Sequence, residues 1–407
     1  MEKASDGRER WMALALICIG VVGVLTTWFS ATAILPELIA EKGLSASEAA
    51  WLTNAVQLGF VVGALATSLV NLPDIVRMNR LIAFSSVLAA LANASLLLDP
   101  GAAFAIFARF VTGVALAGVY PPALKLMATW FVKGRGLALG FLIGALTLGS
   151  SMPHLFRALT SGADWRTVVT LASASTLAAA LLFALAIGEG PYPFGRATFN
   201  PRQALNVFSS KPILLANIGY FGHMWELYAM WAWFLAFAGA AAKTLNPFPF
   251  GSASMLSFVV VASGVAGCIL GGLLSDRIGR CLTTSGMMIA SGACALSIGF
   301  CFDGPGWLLA AVAIVWGITV IGDSAQFSAA VTELADQNFV GTALALQMGF
   351  GFALTVVAIW VTPIVAQMIG GWQWAFVLLV PGPILGTVAM LTLRTLPEAS
   401  RLAHGAR

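Results

Sequence analysis

Residues 218–237 read IGYFGHMWELYAMWAWFLAF, an apolar run long enough to cross a bilayer that nevertheless carries His223 and Glu226 near its middle. Their i, i+3 spacing puts both on one helix face, and Met230 and Trp233 continue that face with large soft side chains. An ionisable group at bilayer depth costs about 3 kcal/mol, so such groups face a cavity or a partner. Two readings follow. Glu226 and His223 hydrogen-bond each other as internal glue, or they serve a substrate or protons.

The rest of the chain has the same character. Its 407 residues are 59% hydrophobic and only 9% charged, with a mean hydropathy of +0.91. A soluble domain averages about 25% charged, so this is a polytopic membrane protein. The opening MEKASDGRER runs into apolar residues from Trp11 without a small-residue cleavage site, which predicts an uncleaved first span. The five cysteines show no C-x-x-C spacing and read as packing residues rather than metal ligands or disulfides. The net charge of +4 sits mostly in loops, so it argues topology and not a nucleic-acid partner. No cofactor is called for.

Apolar spans recur at 12–36, 48–70, 81–98, 103–128, 137–158, 166–188, 212–238, 252–274, 282–302, 307–330, 342–369 and 375–394. They predict an all-α fold of twelve transmembrane helices: an N-terminal six-helix bundle (1–188), a linker (189–211) and a C-terminal six-helix bundle (212–407). Most Lys and Arg fall on the side of the termini, including Arg77, Arg80, Lys133, Arg196, Arg202, Arg277 and Arg280. The other side has Lys42, Arg157, Arg166 and Lys243. The positive-inside bias then places both termini and the linker in the cytoplasm, as expected for a bacterial inner-membrane protein working as a monomer. The halves echo each other in order and at nearly constant spacing: Gly20 with Gly219, Asp99 with Asp303, Gly136 with Gly341, Trp165 with Trp372. A parallel repeat of six plus six spans is expected.

The loop after the eighth span reads Gly271-Gly272-Leu273-Leu274-Ser275-Asp276-Arg277-Ile278-Gly279-Arg280 and resembles the signature loop of the major facilitator superfamily. Arg109-Phe110-Val111-Thr112-Gly113 is similar to that family's R-x-x-x-G element, and the twelve-span plan resembles the family over essentially the whole chain. The first-half loop keeps Asp74, Arg77 and Arg80 but lacks the glycines. The resemblance implies a transporter whose third, sixth, ninth and twelfth spans lie outermost. Apart from it, Gly271 and Gly272 permit close helix approach. Asp276 can accept from a neighbouring helix N-terminus, and Arg277 and Arg280 can pair with acids. With Asp74 these are the candidate gate residues, since such contacts hold one conformer and release another.

Polar residues concentrate in particular spans: Asn54 and Gln57 in the second, Arg109 and Lys125 in the fourth, His154 in the fifth, Asp323 and Gln326 in the tenth, Gln347 in the eleventh. That distribution suits an aqueous central cavity. Arg109 either balances a carboxylate such as Glu226, receives an anionic substrate or partners backbone carbonyls. Tyr120, ahead of Pro121-Pro122, can bond a ligand where proline breaks the helix. Asp323 reads as a second proton carrier or the counter-ion of Arg109. His154 and Arg157 read as a solvated rim. The candidate substrate residues are Arg109, Tyr120, His223, Met230, Trp233, Asn54, Gln57 and Gln326; the candidate proton-coupling residues are Glu226, His223 and Asp323.

These features predict alternating access of a small-molecule substrate coupled to protons, because histidine is the residue type that exchanges protons at physiological pH and a carboxyl beside it can pass them to either side. A small polar metabolite, with an anion favoured by Arg109 and His223, is one cargo. Proton-driven efflux of lipophilic compounds is the alternative suggested by Glu226 and Asp323 amid Trp225, Trp231 and Trp233. A non-transporting sensor on the same fold is the third. No nucleophile–base cluster, H-x-x-x-H pair or metal-ligand set points to an enzyme.

Overall fold

The computed structural model describes residues 7–70, 72–98, 101–131, 135–160, 163–192, 209–336 and 340–405. Among these, ten helices are long and apolar enough to cross a membrane: α2 (Ala46–Leu69), α3 (Met78–Leu98), α4 (Ala102–Trp130), α5 (Gly136–Leu159), α6 (Arg166–Leu185), α8 (Ala253–Ile278), α9 (Arg280–Cys301), α10 (Gly306–Leu334), α11 (Val340–Met368) and α12 (Ala375–Thr395). Two further long helices, α1 (Gly7–Leu25) and α7 (Lys211–Ala241), fill the first and seventh places. The composition of α7 explains its lower hydropathy, since Tyr, Trp, His and Glu interrupt its aliphatic residues. Most of the expected linker, residues 193–208, lies outside the described residues.

Close backbone approach at glycine organises each half in the same way. A Cβ on Gly59 of α2 would lie 2.0 Å from the Phe110 carbonyl of α4, and one on Gly113 would lie 2.0 Å from that of Val56. In the second half, a Cβ on Gly267 would lie 1.9 Å from the Ile318 carbonyl and one on Gly317 1.9 Å from that of Val260, which locks α8 to α10. Small residues permit such contact between membrane helices. Gly271 extends the seam, since a Cβ there would lie 1.7 Å from the Gly322 carbonyl, whereas Gly272 faces open space and does not share the expected role. Between the halves, α5 packs along α8 and α2 along α11.

Among the described residues, three spans divide into separate α-helical segments. The first span, expected as one helix over 12–36, ends at Leu25, turns through Thr26–Phe29 and resumes as Ser30–Ala33 and Leu35–Lys42. α4 divides into Ala102–Ala117 and Tyr120–Trp130, with Pro121 and Pro122 opening the second segment, where a missing N–H costs nothing. α10 divides at Asp323 into Gly306–Gly322 and Ser324–Leu334. The breaks in α4 and α10 occupy matching places, Gly118 against Gly322, as a repeat requires. By contrast α7 runs unbroken although the first span, its counterpart, does not.

Candidate substrate site

Aromatic side chains from both halves close the passage between them. Trp28 and Phe60 have ring centroids 5.1 Å apart, Trp28 stacks on Tyr228 at 5.9 Å, Phe60 meets Phe352 at 4.6 Å, and Phe29 meets Trp231 edge-on at 6.1 Å. On the terminus side of this seal, a cavity of about 70 Å³ remains between α2, α4 and α11, lined by Val61, Ala64, Leu65, Pro121 and Met348 among others.

Beside the seal are buried polar atoms with nothing to bond. Asn54 and Gln57 are 0% exposed, and neither the nitrogen nor the oxygen of either amide has a partner among the described residues. They lie on the face of α2 that continues to Val61 and Leu65, hence toward α11. The indole N–H groups of Trp28 and Trp231 and Nδ1 of His154 are likewise unpartnered. An unmet buried polar group costs about 1–3 kcal/mol unless water or a ligand supplies the bond. His154 is 1% exposed and not a solvated rim. It sits two turns beyond Thr147, whose hydroxyl lies 3.9 Å from Cys268 Sγ, so it shares the α5 face that packs on α8.

The ionisable groups divide differently from expectation. His223 and Glu226 do not bond each other. His223 Nδ1 lies 2.9 Å from Asp323 Oδ1 at the break in α10, an ion pair when the imidazole is protonated. The contact is close but poorly aligned, since Asp323 Oδ1 accepts no hydrogen bond and His223 Nε2 has no partner among the described residues. Glu226 turns into the second half, where Oε1 accepts from Trp316 Nε1 of α10 at 2.7 Å and Oε2 from Ser291 Oγ of α9 at 2.8 Å. The ninth helix therefore supplies a partner despite its outer position.

Arg109 pairs with neither carboxylate. Its guanidinium is 0% exposed and donates to the carbonyls of Thr27 (2.8 Å), Trp28 and Leu52 (3.4 Å), to Ser30 Oγ (3.1 Å) and to Asn93 Oδ1 (3.0 Å). Every guanidinium nitrogen is thus engaged, as in the backbone-carbonyl alternative. Trp233 spends its indole N–H on the Ile359 carbonyl at 2.8 Å and stacks on Trp372, and Met230 is fully buried beside it on α7. Tyr120 is half-buried at the start of the second segment of α4.

On the terminus side, Arg280 donates to Glu333 Oε1 (2.7 Å), Gln326 Oε1 (2.6 Å) and Ser275 Oγ (2.7 Å). Gln326 thus belongs to this latch and not to the passage. Asp276 and Arg277 are exposed and make no ion pair among the described residues. The side chain of Asp74 lies outside the described residues. On the far side, Arg157 pairs with Glu37, and Arg166 with Asp164 and Glu41. Hydrogen bonds from Lys42 and Trp165 hold the Glu41 carboxyl below its usual range, and the Arg166 backbone N–H does the same for Asp164.

Of the residues singled out in the sequence, the structure leaves Asn54 and Gln57 buried without partners among the described residues and sets His223 against Asp323; the indoles of Trp28 and Trp231 and the burial of His154 were not anticipated. Two six-helix bundles enclosing a sealed, partly unsatisfied polar passage define an integral membrane protein of the two-bundle carrier class. The chain belongs to the Major Facilitator Superfamily, whose family model matches residues 17–250. A probable sulfoacetate transporter, SauU, of Cupriavidus necator is 26% identical over 200 residues; the match spans 46% of this chain and 46% of that protein, less than half of its length. Among solved structures, the nucleoside transporter NupG superposes with a TM-score of 0.73 at 15% identity, covering 94% of this chain and 99% of that one. A bacterial homolog of the human lysosomal transporter Spinster, inward-facing and unoccupied, superposes with a TM-score of 0.67 at 13% identity, covering 99% and 98%. At these identities the likeness is one of fold.

Proposed function

We propose that this chain is a proton-coupled secondary transporter that moves a small polar organic anion by alternating access, with both termini in the cytoplasm. The observation that carries the reading is a set of buried groups without partners among the described residues: Asn54, Gln57, Trp28 and Trp231 at the inter-half seal, and His154 on the α5 face that packs on α8. Amide and indole N–H groups can bind a carboxylate or sulfonate without a buried cation, and the indoles can only donate. The relative named for sulfoacetate, itself an organic anion, supports that cargo. For coupling, the His223–Asp323 pair is the natural proton site: a proton between two groups 2.9 Å apart, at the break in α10, changes the charge where that helix is free to bend. Glu226, held by Trp316 and Ser291, lies one turn from His223 and completes the acidic set.

The test is uptake of sulfoacetate into proteoliposomes under an imposed pH gradient. Accumulation that collapses with the gradient, and that weakens in Asn54→Ala and Gln57→Ala, is expected. Uptake indifferent to both changes would sink the reading. A second reading, export of lipophilic compounds, draws on the ring cluster of Trp28, Phe29, Phe60, Tyr228, Trp231 and Phe352. Gradient-driven movement of a lipophilic cation, with none of sulfoacetate, would favour it.

A further inference from the structure

Arg109 is among the most completely enclosed charges in the molecule, and the passage does not use it. Its acceptors explain why. Thr27 and Trp28 lie in the interruption of the first span, where α1 has ended at Leu25 and the next helical turn begins at Ser30. Carbonyls in a break between helices lack an intrahelical partner, and here those of Thr27 and Trp28, in the turn beyond Leu25, accept from the guanidinium. Ser30 Oγ returns to the Thr27 carbonyl at 3.1 Å and to Asn93 Oδ1 at 2.5 Å, tying the break to α3. The break places Trp28 and Phe29, both buried, which with Phe60 are the first half's contribution to the aromatic seal.

The second half supplies an internal comparison. On the register of the seam glycines Gly113 and Gly317, Ala313 of α10 takes the place of Arg109 and Trp316 lies about one turn further along, while Glu226 stands in α7 at the level of Thr27. There the helix is continuous, no main-chain carbonyl is freed, and the donor from α10 meets a side-chain carboxylate instead. Among the described residues, a multi-donor cation bonded to main-chain carbonyls of the first helix of its half occurs in the half where that helix is broken.

We propose that Arg109 is a positioning residue: it holds the first span open at Thr26–Phe29 and thereby sets the place of the Trp28 indole in the substrate passage, without touching substrate. The inference about substrate rests on the transport reading above, whereas the inference about the break does not. Lysine keeps the charge but not the planar fork that reaches several carbonyls at once, so Arg109→Lys separates charge from geometry.

Two measurements on the full chain test this. In proteoliposomes with sulfoacetate as probe, Arg109→Lys should raise KM about tenfold while kcat changes by less than about twofold, the size expected when about one hydrogen bond's worth of positioning is lost from binding alone. Trp28→Phe should raise KM similarly, and the double variant should be no worse than Arg109→Lys alone, because both remove one function. An unchanged KM in Arg109→Lys, or multiplying effects in the double variant, would overturn the proposal. The second measurement needs no substrate. Amide hydrogen exchange across residues 24–33 should quicken in Arg109→Lys, and more mildly in Asn93→Ala, while residues 224–233 keep their wild-type rate. Equal quickening of both segments, or none, overturns the positioning role. If wild-type protein does not carry sulfoacetate, the transport reading fails and the exchange data alone decide this one.

Discussion

At the scale of single residues, an amide that is buried and unbonded is a liability the fold retains for another purpose. Removing Asn54 or Gln57 should therefore not destabilise the protein. Asn54→Ala and Gln57→Ala are expected to leave the thermal midpoint of the detergent-solubilised protein unchanged or higher, with up to about 1 kcal/mol gained per unmet group removed. A clear fall in the midpoint would show that both side chains are bonded in the folded protein. The sequence made these two residues visible because amides stand out in an apolar span. Trp28 and Trp231 gave no such signal: an indole in a membrane helix looks the same whether or not its N–H has a partner. Arg109 was half legible. Its burial followed from its position in the fourth span, but its acceptors are carbonyls freed by a break at Thr26–Phe29, a run of Thr-Thr-Trp-Phe with no proline or glycine to announce it.

At the scale of helices, the glycine seams fix which elements move together. Gly317→Val would drive a branched side chain into the Val260 carbonyl, 1.9 Å from the Cβ position. Overpacking of this kind costs about 1–3 kcal/mol, so a thermal midpoint several degrees below wild type is expected, whereas Gly272→Ala, facing open space, should be silent. Comparable losses from both would show that the seam between α8 and α10 is not close-packed. The spans themselves were readable from hydropathy, and the seams partly so, because the signature loop already pointed at Gly271. The far-side collar has a pH dependence of definite sign. Glu41 and Asp164 titrate lower in the folded protein than as free carboxylates, so their contribution is complete above the ordinary carboxylate value and is lost as pH falls through the folded value. The midpoint should drop on acidification below about pH 4, and Asp164→Asn should flatten that drop. A midpoint of Asp164→Asn that follows wild type at every pH would remove Asp164 from the account.

At the scale of the whole molecule, the latch on the terminus side and the seal on the far side oppose each other across the passage. Arg280 is held by three side chains, two of them on the second segment of α10. Arg280→Ala should release that segment and favour a conformer open toward the termini, read as faster labelling of a cysteine placed at Gln326 by a hydrophilic maleimide. Labelling no faster than with Arg280 present would mean that the latch does not restrain α10. The repeat was legible because both halves reuse the same small residues in the same order. Which half would break its first helix was not, since that choice depends on a buried guanidinium three helices away.

The matched interruptions of α4 and α10 have a mechanical consequence. Each leaves an 11-residue segment, Tyr120–Trp130 and Ser324–Leu334, joined end-on to a stem that a glycine seam keeps stiff. At about 1.5 Å per residue these are two rods of about 16 Å, each continuing its stem toward the side of the termini from a matching place in the repeat. A bundle built this way concentrates its compliance at those two joints. Its mouth on the side of the termini can widen by swinging two short rods, and the aromatic rings beyond the joints stay where they are.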